Sequence, residues 1–189
     1  MKREIQSLLG ISFFALIFIG CNKEEWDPFQ RPVKPEDKEY DLNDDQIIDF
    51  KLVYKNWTWD GAYSSGDMIT CELIPENNNQ ILLHQDLGLL FGQINDTVFN
   101  QVQSPFLWET SSHNIPFLLS IFSTNTIGWE KEWKTKNDVK KEFYYLSFKI
   151  SVDDKENLGW IKLKINNRSG QVEINDKQLT DQDHIIIDR

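Results

Sequence analysis

The 189-residue chain predicts an all-β fold, an antiparallel β-sandwich with jelly-roll-like character. Three observations carry that expectation. Apolar and polar residues alternate with period two in several segments of strand length. Clusters rich in Asn, Asp, Gly and Pro separate those segments, as turns require. No long segment shows helical period with caps, and no fixed-period repeat occurs.

The elements follow in order. Residues 49–54 alternate, with Phe50, Leu52 and Tyr54 on one face. Ile69, Cys71 and Leu73 alternate before Pro75, a turn cluster follows at 76–79, and Ile81, Leu82 and Leu83 form the next run. Residues 95–126 are rich in Asn, Ser and Thr and read as loops with short strands, of which 116–122 is apolar enough to be buried. Residues 134–142 suggest a charged hairpin tip or a short helical turn. Residues 143–152 form a strong strand, 153–157 a turn, and 159–165 a strand. There Lys162 and Lys164 alternate with Ile161, Leu163 and Ile165, predicting one wet face. Residues 171–174 and 184–187 close the fold.

Composition excludes several classes. Hydrophobic residues make up 40% of the chain, too many for disorder. Twenty basic residues stand against 30 acidic ones, a net charge of −10, which disfavours nucleic acid as a partner. Two Cys allow one bridge at most, so a disulfide scaffold is excluded.

The first 20 residues read as a signal peptide. Lys2 and Arg3 precede an apolar run, Leu8 to Ile19, too short for a bilayer span of ~20 residues. Phe18-Ile19-Gly20-Cys21 resembles the lipobox of bacterial lipoproteins, with Phe in place of the usual Leu. That resemblance implies cleavage before Cys21, lipidation of Cys21 and attachment to a membrane. Lys23-Glu24-Glu25 resembles a surface-export signal of one Gram-negative phylum, implying an outer-membrane, surface-exposed lipoprotein. Residues 21–39 then form the lipidated Cys and an extended tether with Pro28, Pro32 and Pro35, and residues 40–189 a single domain. With Cys21 lipidated, Cys71 is left as a small buried hydrophobe, the alternative being a catalytic thiol.

The most informative stretch for chemistry is an acidic loop. Asp41, Asn43, Asp45 and Asp49 occupy loop positions one, three, five and nine, and the Ile47 carbonyl falls at position seven. This is a hard-oxygen donor set of the kind Ca²⁺ prefers, and carboxylates so close repel one another unless a cation lies between them. Asp44 is expected to point outward. The loop resembles the DxNxDGxxD calcium loops of secreted proteins, except that Gln46 stands where Gly makes the sharp turn. It differs from an EF-hand, with Leu52 at position twelve and a strand following. Without metal, the same residues form an Asx-rich turn.

The loop, the strand Tyr145-Leu146-Ser147-Phe148-Lys149 and the strand Gly159-Trp160-Ile161-Lys162-Leu163 together resemble a family of secreted or surface-anchored bacterial β proteins. That resemblance implies an all-β extracellular module and no particular activity.

Trp57, Trp59, Trp129 and Trp133 are candidate ligand-binding aromatics, with core packing as the alternative. Glu72, Glu109 and Glu130 are the carboxylates available to a polysaccharide hydrolase, but no spacing singles out two. His84, His113 and His184 are dispersed, and no Ser elbow, zinc helix or phosphate loop is present. The leading expectation is therefore a lipid-anchored, calcium-stabilised envelope module that binds a glycan or a protein. A surface hydrolase and a structural envelope component are the alternatives.

Overall fold

A computed structural model describes residues 27–188 apart from 62–64, 111–115, 124–127, 136–140 and 153–154. The signal peptide, Cys21, the residues after it up to 26, and most of the expected tip at 134–142 lie outside the described residues.

The described residues form strands without a helix. In chain order these are β1 (Lys38–Tyr40), β2 (Phe50–Asp60), β3 (Ser65–Pro75), β4 (Gln80–His84), β5 (Gly88–Leu89), β6 (Phe91–Gly92), β7 (Thr97–Phe99) and β8 (Phe106–Glu109). They continue with β9 (Leu118–Ser123), β10 (Gly128–Trp129), β11 (Lys134–Thr135), β12 (Tyr144–Val152), β13 (Lys155–Ile165), β14 (Val172–Thr180) and β15 (His184–Ile186). Every pairing is antiparallel. The first sheet runs β1-β2-β3-β9-β10, with β11 also on β9; the second runs β14-β13-β12-β4-β5, with β6 on β12 and β8 on β4.

The two sheets enclose the main core. Period-two alternation turns Phe50, Leu52, Tyr54, Ile69, Cys71 and Leu73 inward from the first sheet. Ile81, Leu146, Phe148, Ile150, Ile161 and Leu163 meet them from the second. Phe50 and Phe148 touch edge to face across the interface, with centroids 5.4 Å apart. Gly159 stands directly opposite Phe148, and a Cβ there would lie 2.6 Å from Phe148 Cζ. The Phe148 ring thus takes the space a side chain would occupy, which explains the Gly at the head of the Gly-Trp-Ile-Lys-Leu strand. At Gly170 the backbone has φ 73° and the Trp133 indole lies against it, so both conformation and space call for Gly.

The expectation of one wet face on β13 holds at exposed Lys164 and needs correction at Leu158 and Trp160. A second apolar cluster covers that face, built from Tyr145, Leu158 and Trp160 of the sheet with Leu82, Val98, Ile185 and Ile187. The antiparallel pair β7 and β15 supplies Val98 and Ile185 as its lid. Trp160 is fully buried, and its indole N–H donates to the Ile186 carbonyl at 3.1 Å. Lys149, also buried, reaches Glu156 at 3.0 Å and lies 5.0 Å from the Trp108 ring centre. Lys162 lies 4.2 Å from the Phe143 ring centre. Of the two lysines read as signs of water, Lys162 instead lies over the Phe143 and Tyr145 rings, and Lys164 is exposed as expected.

The tether also differs from expectation. The Pro28 carbonyl accepts the Trp129 N–H at 2.6 Å, and the Arg31 guanidinium lies over the Trp129 ring at 5.7 Å. Lys34 Nζ donates to the Tyr54 carbonyl at 3.0 Å, and Asp37 Oδ1 accepts the Tyr54 N–H at 2.8 Å. Beyond its pairing with β1, β2 would otherwise leave these groups unpaired at the sheet edge. The folded unit therefore begins before residue 40, and residues 28–37 are docked on it.

Candidate functional site

The acidic loop connects β1 to β2 and is closed by the Asp49 N–H donating to the Tyr40 carbonyl at 2.8 Å. Its short polar side chains fold back on their own backbone, the habit of Asx residues in turns. Asp41 accepts the Gln46 N–H at 2.7 Å and the Asp45 N–H at 3.2 Å. Asn43 Oδ1 accepts the same Asp45 N–H, and its amide donates to Asp45 Oδ2 at 2.8 Å. Asp45 Oδ1 accepts the Ile47 N–H at 2.8 Å. Asp44 points outward, as expected, and reaches Lys177 of β14 at 3.2 Å.

Asp49 does something different. It is 2% exposed, and its carboxylate accepts the Leu42 N–H at 2.6 Å and the Asn79 amide at 3.0 Å. Asn79 is buried between the sheets, where its Oδ1 accepts the Ser151 N–H of β12 at 2.9 Å. One chain of polar contacts thus joins the loop, the β3–β4 turn and the second sheet. Leu42, pulled down by this contact, enters the core.

The two carboxyl groups titrate in opposite directions. Partial desolvation pushes Asp41 up, but the backbone N–H groups of Gln46, Asp44, Asp45 and Asn43 outweigh it and hold the carboxyl below its usual range. For Asp49 burial dominates and raises the value. The Leu42 and Asn79 hydrogen bonds oppose the rise, and the charges of Asp45 and Asp41 add to it.

Among the described residues, no three His, Cys, Asp or Glu side chains gather closely enough to hold a metal. Asp49 is committed to Leu42 and Asn79, so it serves the fold first. Asp41, Asn43, Asp45 and the Ile47 carbonyl remain as the donor set. Its chemistry suits a hard divalent cation, because all are oxygens and among the described residues no ammonium or guanidinium is paired with Asp41 or Asp45.

Gln46 has φ 70°, so the position where calcium loops place Gly is indeed left-handed here. A side chain there costs about 1 kcal/mol, partly offset by the entropy Gln spares the unfolded chain. Gln46→Gly is therefore expected to stabilise the protein by about 0.5 kcal/mol, a gain of roughly 1–2 °C in Tm. A lower Tm would contradict the strain argument.

The four tryptophans divide into two pairs. Trp129 and Trp133 are buried core residues, the latter 6.0 Å from the Tyr54 ring, so they are unavailable to a ligand and that expectation is corrected. Trp57 and Trp59 share the outer face of β2. Trp57 is 42% exposed, and its indole N–H donates to Thr70 Oγ1 at 3.1 Å. Trp59 is half-buried and lies across Gly66, its partner on β3.

Of the carboxylates considered for hydrolysis, Glu72 and Glu130 are not brought together. Glu72 is 1% exposed on the outer face of β3 and ion-paired to Lys55 at 2.6 Å. Glu130 bonds through its N–H to Ile121, which stands opposite Met68. It therefore lies two strands across and four residues along from Glu72, about 10 Å by 13 Å, beyond the ~5–10 Å a glycosidase pair requires. Glu109 stands opposite Ile81 in the second sheet, on the core-facing side. Cys71 is free and fully buried beside Tyr54, and burial pushes its thiol up, so it behaves as the small hydrophobe expected.

Sequence reasoning missed Asn79, which organises the loop from a distant turn. Its only sequence signal is membership of the Asn-rich cluster at 77–79. Compared with protein-family models, with curated proteins and with solved structures, the chain matches none.

Proposed function

We propose that this is a lipid-anchored protein of the bacterial cell envelope, exposed at the surface of the outer membrane. In this reading it is a non-enzymatic module that binds a glycan or a protein, with a calcium-stabilised loop. The observation that carries the binding role is the outward ring of Trp57, tied by its N–H to Thr70 and standing on the same face as Trp59. A ring held in one orientation can stack on a sugar or an aromatic partner at little entropic cost. The separation of Glu72 from Glu130 and the burial of Glu72 favour this reading over hydrolysis.

Binding is tested by a glycan array and envelope-protein pull-downs with wild type and Trp57→Ala. Loss of binding by tenfold or more with an unchanged Tm is expected. Robust hydrolysis of a polysaccharide, with no captured ligand, would overturn the reading.

Calcium would be held by Asp41, Asn43 and Asp45 with the Ile47 carbonyl, while Asp49 keeps the loop seated. Bound metal would neutralise the mutual repulsion of the loop carboxylates and stabilise the fold by linkage. Thermal melts with 1 mM Ca²⁺ and with EDTA are expected to differ by several degrees, and Asp45→Ala to abolish the difference. Superimposable melts would remove calcium from the account.

A further inference from the structure

The docked segment ahead of β1 bears on how the domain faces its membrane. Pro28 and Arg31 are fixed on Trp129, and Lys34 on Tyr54, yet two apolar side chains between these anchor points face solvent. Phe29 is 67% exposed and Val33 85% exposed. Only six residues separate Cys21 from Pro28, and the seven residue steps between them span about 25 Å at most. If Cys21 carries lipid, this edge cannot leave the neighbourhood of the bilayer surface.

Strand register then assigns the two ends of the sandwich. Trp129 stands opposite Phe122, and Phe122 opposite Asp67, so the Pro28 contact lies at the Asp67 level of β3. The acidic loop enters β2 at Phe50, which stands opposite Pro75 at the other end of β3. The separation along the strand is about 26 Å. Arg31 lies at the docked end and Lys34, bonded to Tyr54 opposite Cys71, midway along the strand; Asp41, Asp45 and Asp49 lie at the far end, and Asp60 and Asp67 at the near one.

We propose that the edge formed by residues 28–34 is the membrane-facing surface of the domain. Phe29 and Val33 sit in the interfacial layer of the bilayer that holds the Cys21 lipid, and the acidic loop is displayed at the membrane-distal end. The inference rests on the lipid-anchor reading above. Interfacial residence suits exposed apolar side chains flanked by cationic ones. Their contribution is orientation, since the acyl chains already supply attachment. The distal placement keeps the loop carboxylates away from anionic headgroups, while Trp57 and Trp59, opposite Met68 and Gly66, stand toward the near end on the outer face of the sheet.

The test uses the full lipidated chain in vesicles of phosphatidylethanolamine and phosphatidylglycerol that carry headgroup nitroxides. A fluorophore is placed at Gln30→Cys or at Asp181→Cys, both exposed, the second beside the acidic loop. Acylated Cys21 and buried Cys71 leave the new thiol as the reactive one. Quenching at residue 30 is expected to exceed that at 181 at least threefold. Phe29→Ser with Val33→Ser is expected to reduce that ratio by half or more while the protein stays vesicle-bound. Equal quenching at the two positions, or more at 181, in a protein whose mass shows acylated Cys21 overturns the orientation and leaves the anchor standing. An unchanged ratio in the double variant overturns the role of Phe29 and Val33. A mass showing unmodified Cys21 overturns both this inference and the anchor reading.

Discussion

Asp49→Ala is expected to destabilise the protein by about 3 kcal/mol, or roughly 6–12 °C in Tm. The change strands the Leu42 N–H in the interior and leaves the Asn79 amide with only the Asp49 backbone carbonyl, at 3.2 Å, as an acceptor. It also loosens Leu42 and cuts the polar link to β12 through Ser151. Asp49→Asn, which keeps an acceptor oxygen, is expected to lose about half as much. A pH series sharpens the test. Burial raises the Asp49 carboxyl above its unfolded value, so its favourable contribution is fully present below about pH 3.9 and is lost as pH rises through the raised folded value. In EDTA, the advantage of wild type over Asp49→Ala should therefore grow on acidification, opposite to a salt-bridged carboxylate. A Tm within 2 °C of wild type would show that water replaces the carboxylate without penalty.

Trp160→Ala is expected to have the larger effect, about 4 kcal/mol or roughly 8–16 °C in Tm. Trp160 is fully buried, stacks edge to face with Tyr145 at 5.8 Å, and donates to the Ile186 carbonyl. Its removal opens a cavity in the second core and releases the strand that covers it. Hydrogen exchange should report the loss locally, with protection falling first at residues 185–187 and at 97–99, which pair with β15. Trp160→Phe keeps most of the ring volume and is expected to lose about 1–2 kcal/mol. Uniform loss of protection across the main core, with β15 no more affected than β2, would contradict the assignment of a separate layer.

The sequence by itself determined the fold class and most of the strands. Residues 49–54, 69–75, 143–152 and 159–165 alternate strongly, and all but Asp49 and Phe143 lie within strands of the sandwich. Alternation is local, because side chains point to opposite faces in turn whatever the partner strand. The left-handed turn at Gln46 was implied by the resemblance to DxNxDGxxD loops, which place Gly at that position. Tertiary structure decided which faces are dry. Lys162 and Lys164 read as signs of water, which holds for exposed Lys164, yet Leu158 and Trp160 on the same face are roofed by β7 and β15. It likewise decided that Trp129 and Trp133 are core while Trp57 is open, that residues 28–37 dock, and that Asn79 holds Asp49. Each of these depends on what the rest of the chain places opposite a residue. A two-residue period says that a side chain points one way or the other, and it carries no information about what is waiting there.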